Sequence, residues 1–169
     1  MRWLISLLVF VVMALASHFF VLGSIPGFIM NKAHATFEAQ GLPQNMFLSS
    51  PRQTPTTQRI VRPSPDLAYA LCLFDTSNGP VRITAPIGEG YGSVSIFNDQ
   101  TDNVFVGDLS PGTDFDSVTI GHSRHKGDPQ PDVLLNGAGI ALIRRLAPTQ
   151  ADYDEAATLV AGAACEKIE

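Results

Sequence analysis

The sequence predicts a mainly β, α+β fold. An N-terminal transmembrane helix precedes a small antiparallel β-sandwich or barrel-like sheet with one C-terminal helix packed on it. An apolar run occupies residues 1–30, where Arg2 is the one charged side chain. Short apolar segments alternate with turn residues from 69 to 146, a spacing typical of sandwiches and barrels. Helical spacing replaces this pattern after Thr149, so we expect a helix there.

The N-terminal run has the length of a membrane span. About 20 apolar residues in a helix cross a hydrocarbon core of about 30 Å, and residues 4–22 supply that length. A cleaved signal peptide is the alternative, because Ala14-Leu15-Ala16 has the small-x-small pattern of a cleavage site. Apolar residues continue past Ala16 to Leu22, so we favour an uncleaved anchor over residues 1–30.

Both interpretations send the rest of the chain across the membrane. Arg2 and the amino terminus outweigh Lys32, so the positive-inside rule places the N-terminus in the cytoplasm. With the anchor retained, we expect a single-pass protein of the inner (cytoplasmic) membrane. Its C-terminal domain is expected in the periplasm or outside.

The composition limits the remaining chain to one domain. Of 169 residues, roughly 140 lie beyond the anchor, which is enough for a single hydrophobic core. The formal net charge is -5 and no Lys/Arg stripe is present, so nucleic acid is not expected as a partner. Outside the cytoplasm, the two cysteines, Cys72 and Cys165, are predicted to form a disulfide.

Three regions follow one another along the chain. Residues 31–65 have weak helical character and then a Pro/Thr-rich composition, so they are predicted to form a spacer. A β-rich extracytoplasmic domain with its C-terminal helix is assigned to residues 66–169. Its predicted strands cover residues 69–75, 81–85, 91–97, 104–106, 117–120, 132–135 and 140–146, with a hairpin turn around 98–103 and a tight turn at Asn136-Gly137.

The C-terminal helix is indicated by Thr149-Gln150-Ala151-Asp152, which has the form of a capping box. We expect this helix to lie on the sheet, with Cys165 at its end joined to Cys72 in strand 69–75. The apolar positions that follow at helical spacing are Tyr153, Ala156, Ala157, Val160 and Ala164.

Residues 66–103 carry an ordered set of polar, aromatic and turn residues. Asp66-Leu67-Ala68-Tyr69 is followed by Asp75 and by Gly79-Pro80, which opens an apolar strand. Over residues 140–155, an apolar strand that ends in Arg precedes Pro-Thr and an acidic helix start. In this order and spacing the chain resembles the bacterial family called domain of unknown function 1254 (DUF1254), in its short membrane-anchored form. The first pattern is completed by Pro86, Tyr91, Ser93 and the polar turn 98–103.

The resemblance implies a β-rich extracytoplasmic domain and no particular reaction. It selects Asp66, Tyr69 and Asp75. We interpret these residues either as braces for a strand and its turns or as ligand-binding residues at the polar end of a pocket. Larger members of the family carry a further C-terminal sheet domain. The resemblance therefore also implies a companion protein that supplies this domain.

Two loops carry residues that are suited to chemistry. The His122-x-x-His125 spacing, with Asp128 and Asp132 nearby, offers ligand types that suit zinc. We expect a solvated loop here, with a metal site at His122 and His125 as the alternative. Gly88-Glu89-Gly90-Tyr91-Gly92 predicts a hairpin turn and not a dinucleotide site, because a strand follows it.

The sequence thus favours a membrane-anchored extracytoplasmic domain that acts as a binding or assembly module. The alternative is an enzyme or enzyme subunit, with or without a metal, that uses the His122/His125 loop. No cofactor is expected, since the chain carries no complete cofactor motif.

Overall fold

The computed structural model describes residues 2–54, 63–122 and 130–168. Over these ranges the chain forms two α-helices and nine β-strands. In chain order they are α1 (Arg2–Ala39), β1 (Leu48–Ser49), β2 (Leu67–Asp75), β3 (Val81–Thr84), β4 (Gly92–Phe97), β5 (Asn103–Asp108), β6 (Ser117–Gly121), β7 (Val133–Leu134), β8 (Ala138–Leu146), α2 (Gln150–Val160) and β9 (Ala164–Lys167).

The described strands form two sheets. The first has five strands in the order β1-β2-β8-β4-β5, and the second has four in the order β7-β6-β3-β9. Neighbouring strands are antiparallel, except that β6 and β7 run parallel. The predicted mainly β fold is confirmed. Of the two predicted forms, the described strands adopt separate sheets and not a closed barrel.

Short apolar segments bounded by turn residues identified most of these strands correctly, and alternation identified β3. In β3, Val81 and Ile83 are buried while Arg82 between them is exposed, which is the pattern of a half-buried strand. The predicted hairpin joins β4 to β5. Its turn is held by Asn98, whose Oδ1 accepts the backbone N–H groups of Gln100 at 2.9 Å and Asp102 at 2.8 Å.

The main hydrophobic core lies between the two sheets. Every second residue of β2 contributes to it, as do the inward residues of the paired strand β8. The second sheet supplies Val81 and Ile83 from β3 and Val118 and Ile120 from β6. The first sheet supplies Ala70, Cys72, Phe74, Val94, Ile96, Ala141 and Ile143.

The predicted disulfide between Cys72 and Cys165 is present and joins the two sheets through this core. Cys72 lies in β2 of the first sheet, and Cys165 lies in β9 of the second. Both residues are almost fully buried, with exposed fractions of 0% and 2%. The disulfide therefore fixes the edge strand β9 to a central strand of the opposite sheet.

The expected position of Cys165 at a helix end was wrong. The helix α2 ends at Val160, and residues 161–163 turn back onto it with hydrogen bonds to the carbonyls of Thr158, Leu159 and Val160. The chain then pairs with β3, where Cys165 lies opposite Ile83. The segment reads Ala-Cys-Glu-Lys, in which apolar and polar residues do not alternate, so periodicity could not reveal this strand.

The first helix, α1, continues for 38 residues and includes Pro26. At 1.5 Å per residue it is about 57 Å long. It is long and apolar enough to cross a membrane, and its most apolar part is not buried. The helix passes the predicted anchor boundary at residue 30 without a break. The division of the chain at residues 30 and 65 stays a prediction.

The C-terminal part of α1 packs on the outer face of the first sheet. Met30 and Leu42, which follows the helix, form a second apolar cluster with Leu73 of β2 and Ile140 of β8. Ala33 and Phe37 lie against the same cluster. The central strands β2 and β8 are thus covered on both faces, by the second sheet on one and by α1 on the other.

The C-terminal helix α2 covers one end of the first sheet. Ala156 of α2 is buried with Ala68 of β2 and Ala147, and Tyr153 packs against them. The predicted capping box is confirmed: the Thr149 side chain accepts from the Asp152 N–H, and the Asp152 carboxylate accepts from the Thr149 N–H at 2.9 Å. This cap fixes where α2 begins, above the ends of β2 and β8.

We predict that breaking the disulfide lowers the free energy of unfolding by about 2–5 kcal/mol, because the bond closes a long loop in the unfolded chain. The bond joins Cys72 to Cys165, which are 93 residues apart in sequence. Urea denaturation of the Cys72→Ala/Cys165→Ala variant against the oxidised parent measures this difference. Dithiothreitol serves as the control, since it must destabilise the parent and leave the double variant unaffected. Equal stability of parent and variant would show that β9 needs no covalent support.

Candidate functional site

Asp66 and Tyr69, selected from the sequence, lie where the chain enters β2. The Tyr69 hydroxyl accepts a hydrogen bond from the Ser64 N–H at 2.8 Å. The Asp66 N–H donates to the Ser64 hydroxyl at 3.3 Å, and its carbonyl accepts from the Ala147 N–H at 2.8 Å. These bonds brace the start of the strand. A ligand-binding role for either residue stays a prediction.

Asp75 lies at the other end of β2. Six residues separate it from Tyr69, which is about 20 Å along an extended strand, so the structure does not bring it to the other two residues. The Asp75 Oδ1 accepts from the Ser77 N–H at 2.8 Å. Hydrogen bonds from Ser77 hold the pKa of this carboxyl below its ordinary value. Asp75 therefore stabilises the turn that leads to Gly79.

Of the two candidate metal ligands, His122 follows β6 directly, whereas His125 lies outside the described residues, as does Asp128. Asp132, the remaining member of that group, accepts from the Thr119 N–H at 2.7 Å. Over the parts of the chain that the structure describes, no three His, Cys, Asp or Glu side chains gather as a metal site would require. The His122/His125 pair stays a prediction.

A cavity of about 290 Å³ opens between α2, the end of β8 and the loop before β4. Arg145 of β8 lines it from within the sheet, and Leu159 of α2 supplies an apolar wall. The loop contributes Gly88, Glu89 and Tyr91. This volume is at the lower end of the range for small-molecule sites in proteins.

Arg145 is the unusual residue of this cavity. It is only 4% exposed, because it occupies an inward position of β8 between Ala68 of β2 and Gly92 of β4. Its Nη2 donates to the Pro86 carbonyl, while its buried Nε has no hydrogen-bond partner. No carboxylate among the described residues forms an ion pair with it. Burial lowers the pKa of the guanidinium from its ordinary value.

A buried guanidinium without an ionic partner lowers the stability of the folded protein. A guanidinium carries five N–H donors, and burying a charge without an ionic partner costs several kcal/mol. A buried polar group that lacks a partner requires a reason beyond packing, and a ligand that supplies the missing acceptors is one such reason.

Two glycines make room for the guanidinium. A Cβ atom added at Gly88 would lie 2.8 Å from the Arg145 Nη1, and one added at Gly92 would lie 3.0 Å from the same atom. A Cβ atom at either position would be tighter than ordinary packing allows, so the end of the Arg145 side chain would have to move. The space around Nη1 thus depends on the absence of side chains at positions 88 and 92.

The rim of the cavity is acidic. Glu89 comes from the loop, and Asp152 and Glu155 come from the first turns of α2. Asp152 is held by the Thr149 backbone and hydroxyl, and its pKa is lowered by those hydrogen bonds. Glu89 and Glu155 are exposed, and their carboxylates accept no hydrogen bond from a described residue. The site therefore combines a buried cation with three carboxylates near its mouth.

A second, smaller cavity shares Arg145 and Ala156 with this site and is also lined by Tyr69. It measures about 10 Å³, roughly the room for one water molecule, and is lined by Tyr69, Arg145 and Tyr153 among others. Sequence reasoning selected Tyr69 and missed Arg145. The signal for Arg145 was its position in strand 140–146, two residues after the apolar Ile143, where alternation directs a side chain inward.

Comparisons with known proteins agree with this fold and assign no activity. The family described as "Protein of unknown function (DUF1254)" matches residues 44–167. No curated protein matches the chain. The crystal structure of the VPA0106 protein from Vibrio parahaemolyticus matches with a TM-score of 0.58 at 15% sequence identity. The match covers 86% of this chain and 37% of that one, so this chain spans little more than a third of its neighbour.

We predict that Asp75→Ala lowers the free energy of unfolding at neutral pH by about 1 kcal/mol, because the Ser77 N–H loses its acceptor. Asp99→Ala is the matched control and should change stability by no more than about 0.5 kcal/mol, as exposed substitutions usually do. Urea denaturation measures both. An unchanged Asp75→Ala variant would argue against its role in the turn.

The same carboxylate should make stability depend on pH. Its folded-state pKa lies below the ordinary aspartate value of 3.8. The stabilisation is therefore fully present above the unfolded pKa and is lost as pH falls through the folded pKa. The difference between parent and Asp75→Ala should shrink between about pH 5 and about pH 2.

Proposed function

The chain belongs to the DUF1254 family, and we propose that it is a membrane-anchored binding module whose Arg145 cavity holds a small ligand. The observation that carries the proposal is the buried guanidinium, which has one hydrogen bond, no ionic partner and an open cavity in front of it. Natural sites often contain groups that destabilise the free protein and are satisfied by the ligand.

The location of the module is inferred from two features. The helix α1 is long and apolar enough to span a membrane, and the disulfide between Cys72 and Cys165 suits an oxidising compartment. We place the anchor in the inner membrane and the β-domain on its periplasmic or outer side, since the positive charge of Arg2 favours a cytoplasmic N-terminus.

Assembly with a companion protein is the second candidate role. It is supported by the length comparison, because the matched Vibrio protein has nearly two thirds of its chain outside the shared region. A separate protein that carries such a region would complete the arrangement. Neither role requires a reaction at this site.

We predict that Arg145→Met leaves the free energy of unfolding of the ligand-free protein unchanged or raises it by about 1–4 kcal/mol, since an apolar side chain removes a buried charge that lacks a partner. Arg144→Met is the matched control: the neighbouring Arg144 is half-buried and donates to Ser95 at 2.8 Å. Losing that bond should cost about 1 kcal/mol. Urea denaturation of the full chain in detergent micelles measures both variants. A loss above about 2 kcal/mol in Arg145→Met would identify Arg145 as a structural residue and contradict the proposal.

We also predict that the full-length chain stays in the membrane fraction. Intact-mass measurement should find residues 1–169 uncleaved, and the protein should resist extraction by alkaline carbonate. Ala16→Leu is the informative variant, because it removes the small residue that a signal peptidase needs. Parent and variant should have the same processing state. A soluble parent that begins at Ser17, converted to a membrane-bound form by Ala16→Leu, would show that the segment is a signal peptide.

A further inference from the structure

The charges around the Arg145 cavity define the chemistry of a ligand more narrowly than the cavity alone. Arg145 is buried on the inner side of the cavity, where its Nη2 is engaged by the Pro86 carbonyl and its Nε is enclosed, so Nη1 is the nitrogen left to donate to a ligand carboxylate. The mouth carries Glu89, Asp152 and Glu155. A ligand that reaches the guanidinium must therefore pass three negative charges.

This order of charges disfavours simple multivalent anions. A phosphate or a dicarboxylate would be attracted by Arg145 and repelled by the carboxylates of the rim, where like charges within a few ångströms cost about 1 kcal/mol or more of binding free energy each. A ligand with a positive group next to its carboxylate is attracted both by Arg145 and by the acidic rim. Its carboxylate faces the guanidinium, and its ammonium lies near the acidic mouth.

The walls and volume limit the size of the ligand. Leu159, Tyr91 and Pro148 give the cavity apolar surface between the cationic interior and the acidic mouth. A short hydrocarbon segment suits such walls. A cavity of about 290 Å³ holds a small molecule and excludes a folded partner segment.

We propose that this cavity binds a small aminocarboxylate, with the ligand carboxylate on Arg145 and the ligand ammonium at Glu89 and Glu155. The inference rests on the proposed binding function and adds the class of ligand. Asp152 is already engaged by the Thr149 cap. The exposed carboxylates of Glu89 and Glu155 accept no hydrogen bond from a described residue. They are therefore the groups that bind the ligand ammonium.

The test is isothermal titration calorimetry of the full chain in detergent micelles. The probes are glycine, 4-aminobutyrate and 6-aminohexanoate, which differ in the spacing of their two charges. The comparators are butyrate, which lacks the ammonium, butylamine, which lacks the carboxylate, and inorganic phosphate, an anion without either group. At least one aminocarboxylate should bind at least tenfold more tightly than every comparator.

Variants assign the binding to the site. Arg145→Met should weaken the best aminocarboxylate at least tenfold. Glu155→Gln, at an exposed position that leaves packing intact, should reduce its advantage over butyrate. Gly88→Ala should also weaken binding, because the new Cβ would crowd the Arg145 Nη1 at 2.8 Å. Gly23→Ala is its control, since a Cβ there meets no atom within 4 Å and Gly23 lies in α1, away from the cavity, so this variant should bind as the parent does.

The possible outcomes test the proposed class of ligand separately from the proposed binding function. If butyrate or phosphate binds as tightly as the aminocarboxylates, and Arg145→Met abolishes this binding, the ligand class is wrong while the binding function stands. If no probe binds, or if Arg145→Met binds like the parent, both proposals fall. Loss of binding in Gly23→Ala equal to that in Gly88→Ala would also overturn the assignment to this cavity.

Discussion

The antiparallel pairing of β2 with β8 determines where every other part of the domain lies. The nine pairs from Leu67 with Leu146 to Asp75 with Ala138 fix which residues of both strands share a face. One face directs Cys72 toward the second sheet and its disulfide, and the other directs Leu73 toward α1. A shift of this register by one residue would reverse both faces. The disulfide between Cys72 and Cys165, the packing of α1 and the inward position of Arg145 would then all be lost together.

The same register explains why a charged residue lies in the interior. Ala141, Ile143 and Arg145 occupy successive inward positions of β8. The first two meet apolar partners, whereas Arg145 lies at the end of the sandwich, where α2 replaces the second sheet as the cover. Small residues surround it there: Ala68 and Gly92 are its partners on the adjacent strands. Their lack of bulk leaves space for the guanidinium and for the cavity in front of it.

How far the sequence predicted this structure depends on how local each signal was. Alternation identified β3, apolar segments next to turn residues identified β4 and β8, and the capping box located the start of α2, because these signals are complete within one segment. The strands β1 and β9 were not predicted, because their sequences, Leu-Ser and Ala-Cys-Glu-Lys, show no such signal and each is held by partners distant in sequence. The cavity could not be predicted either, because only the fold brings its loop, its strand and its helix together. Tyr69, which the resemblance selects, is among the residues that line the smaller cavity, although the strand register pairs it with Arg144 and puts it on the opposite face of the sheet from Arg145.

The docking of α1 has a consequence for where a ligand would meet the domain. Eight residues separate the end of the predicted span at Leu22 from the buried Met30, which is about 12 Å of helix. Gly27 already lies beside Gln100 in the β4–β5 turn, where a Cβ would come within 3.2 Å of that side chain. With α1 in a bilayer, this turn lies next to the membrane surface and the domain cannot extend far from it. The Arg145 cavity is at the α2 end of β8, whereas α1 contacts Ile140 toward the other end. With α1 in a bilayer, the Ile140 end of β8 would lie nearer the membrane than the end that carries the cavity. That orientation suits a water-soluble aminocarboxylate better than a lipid.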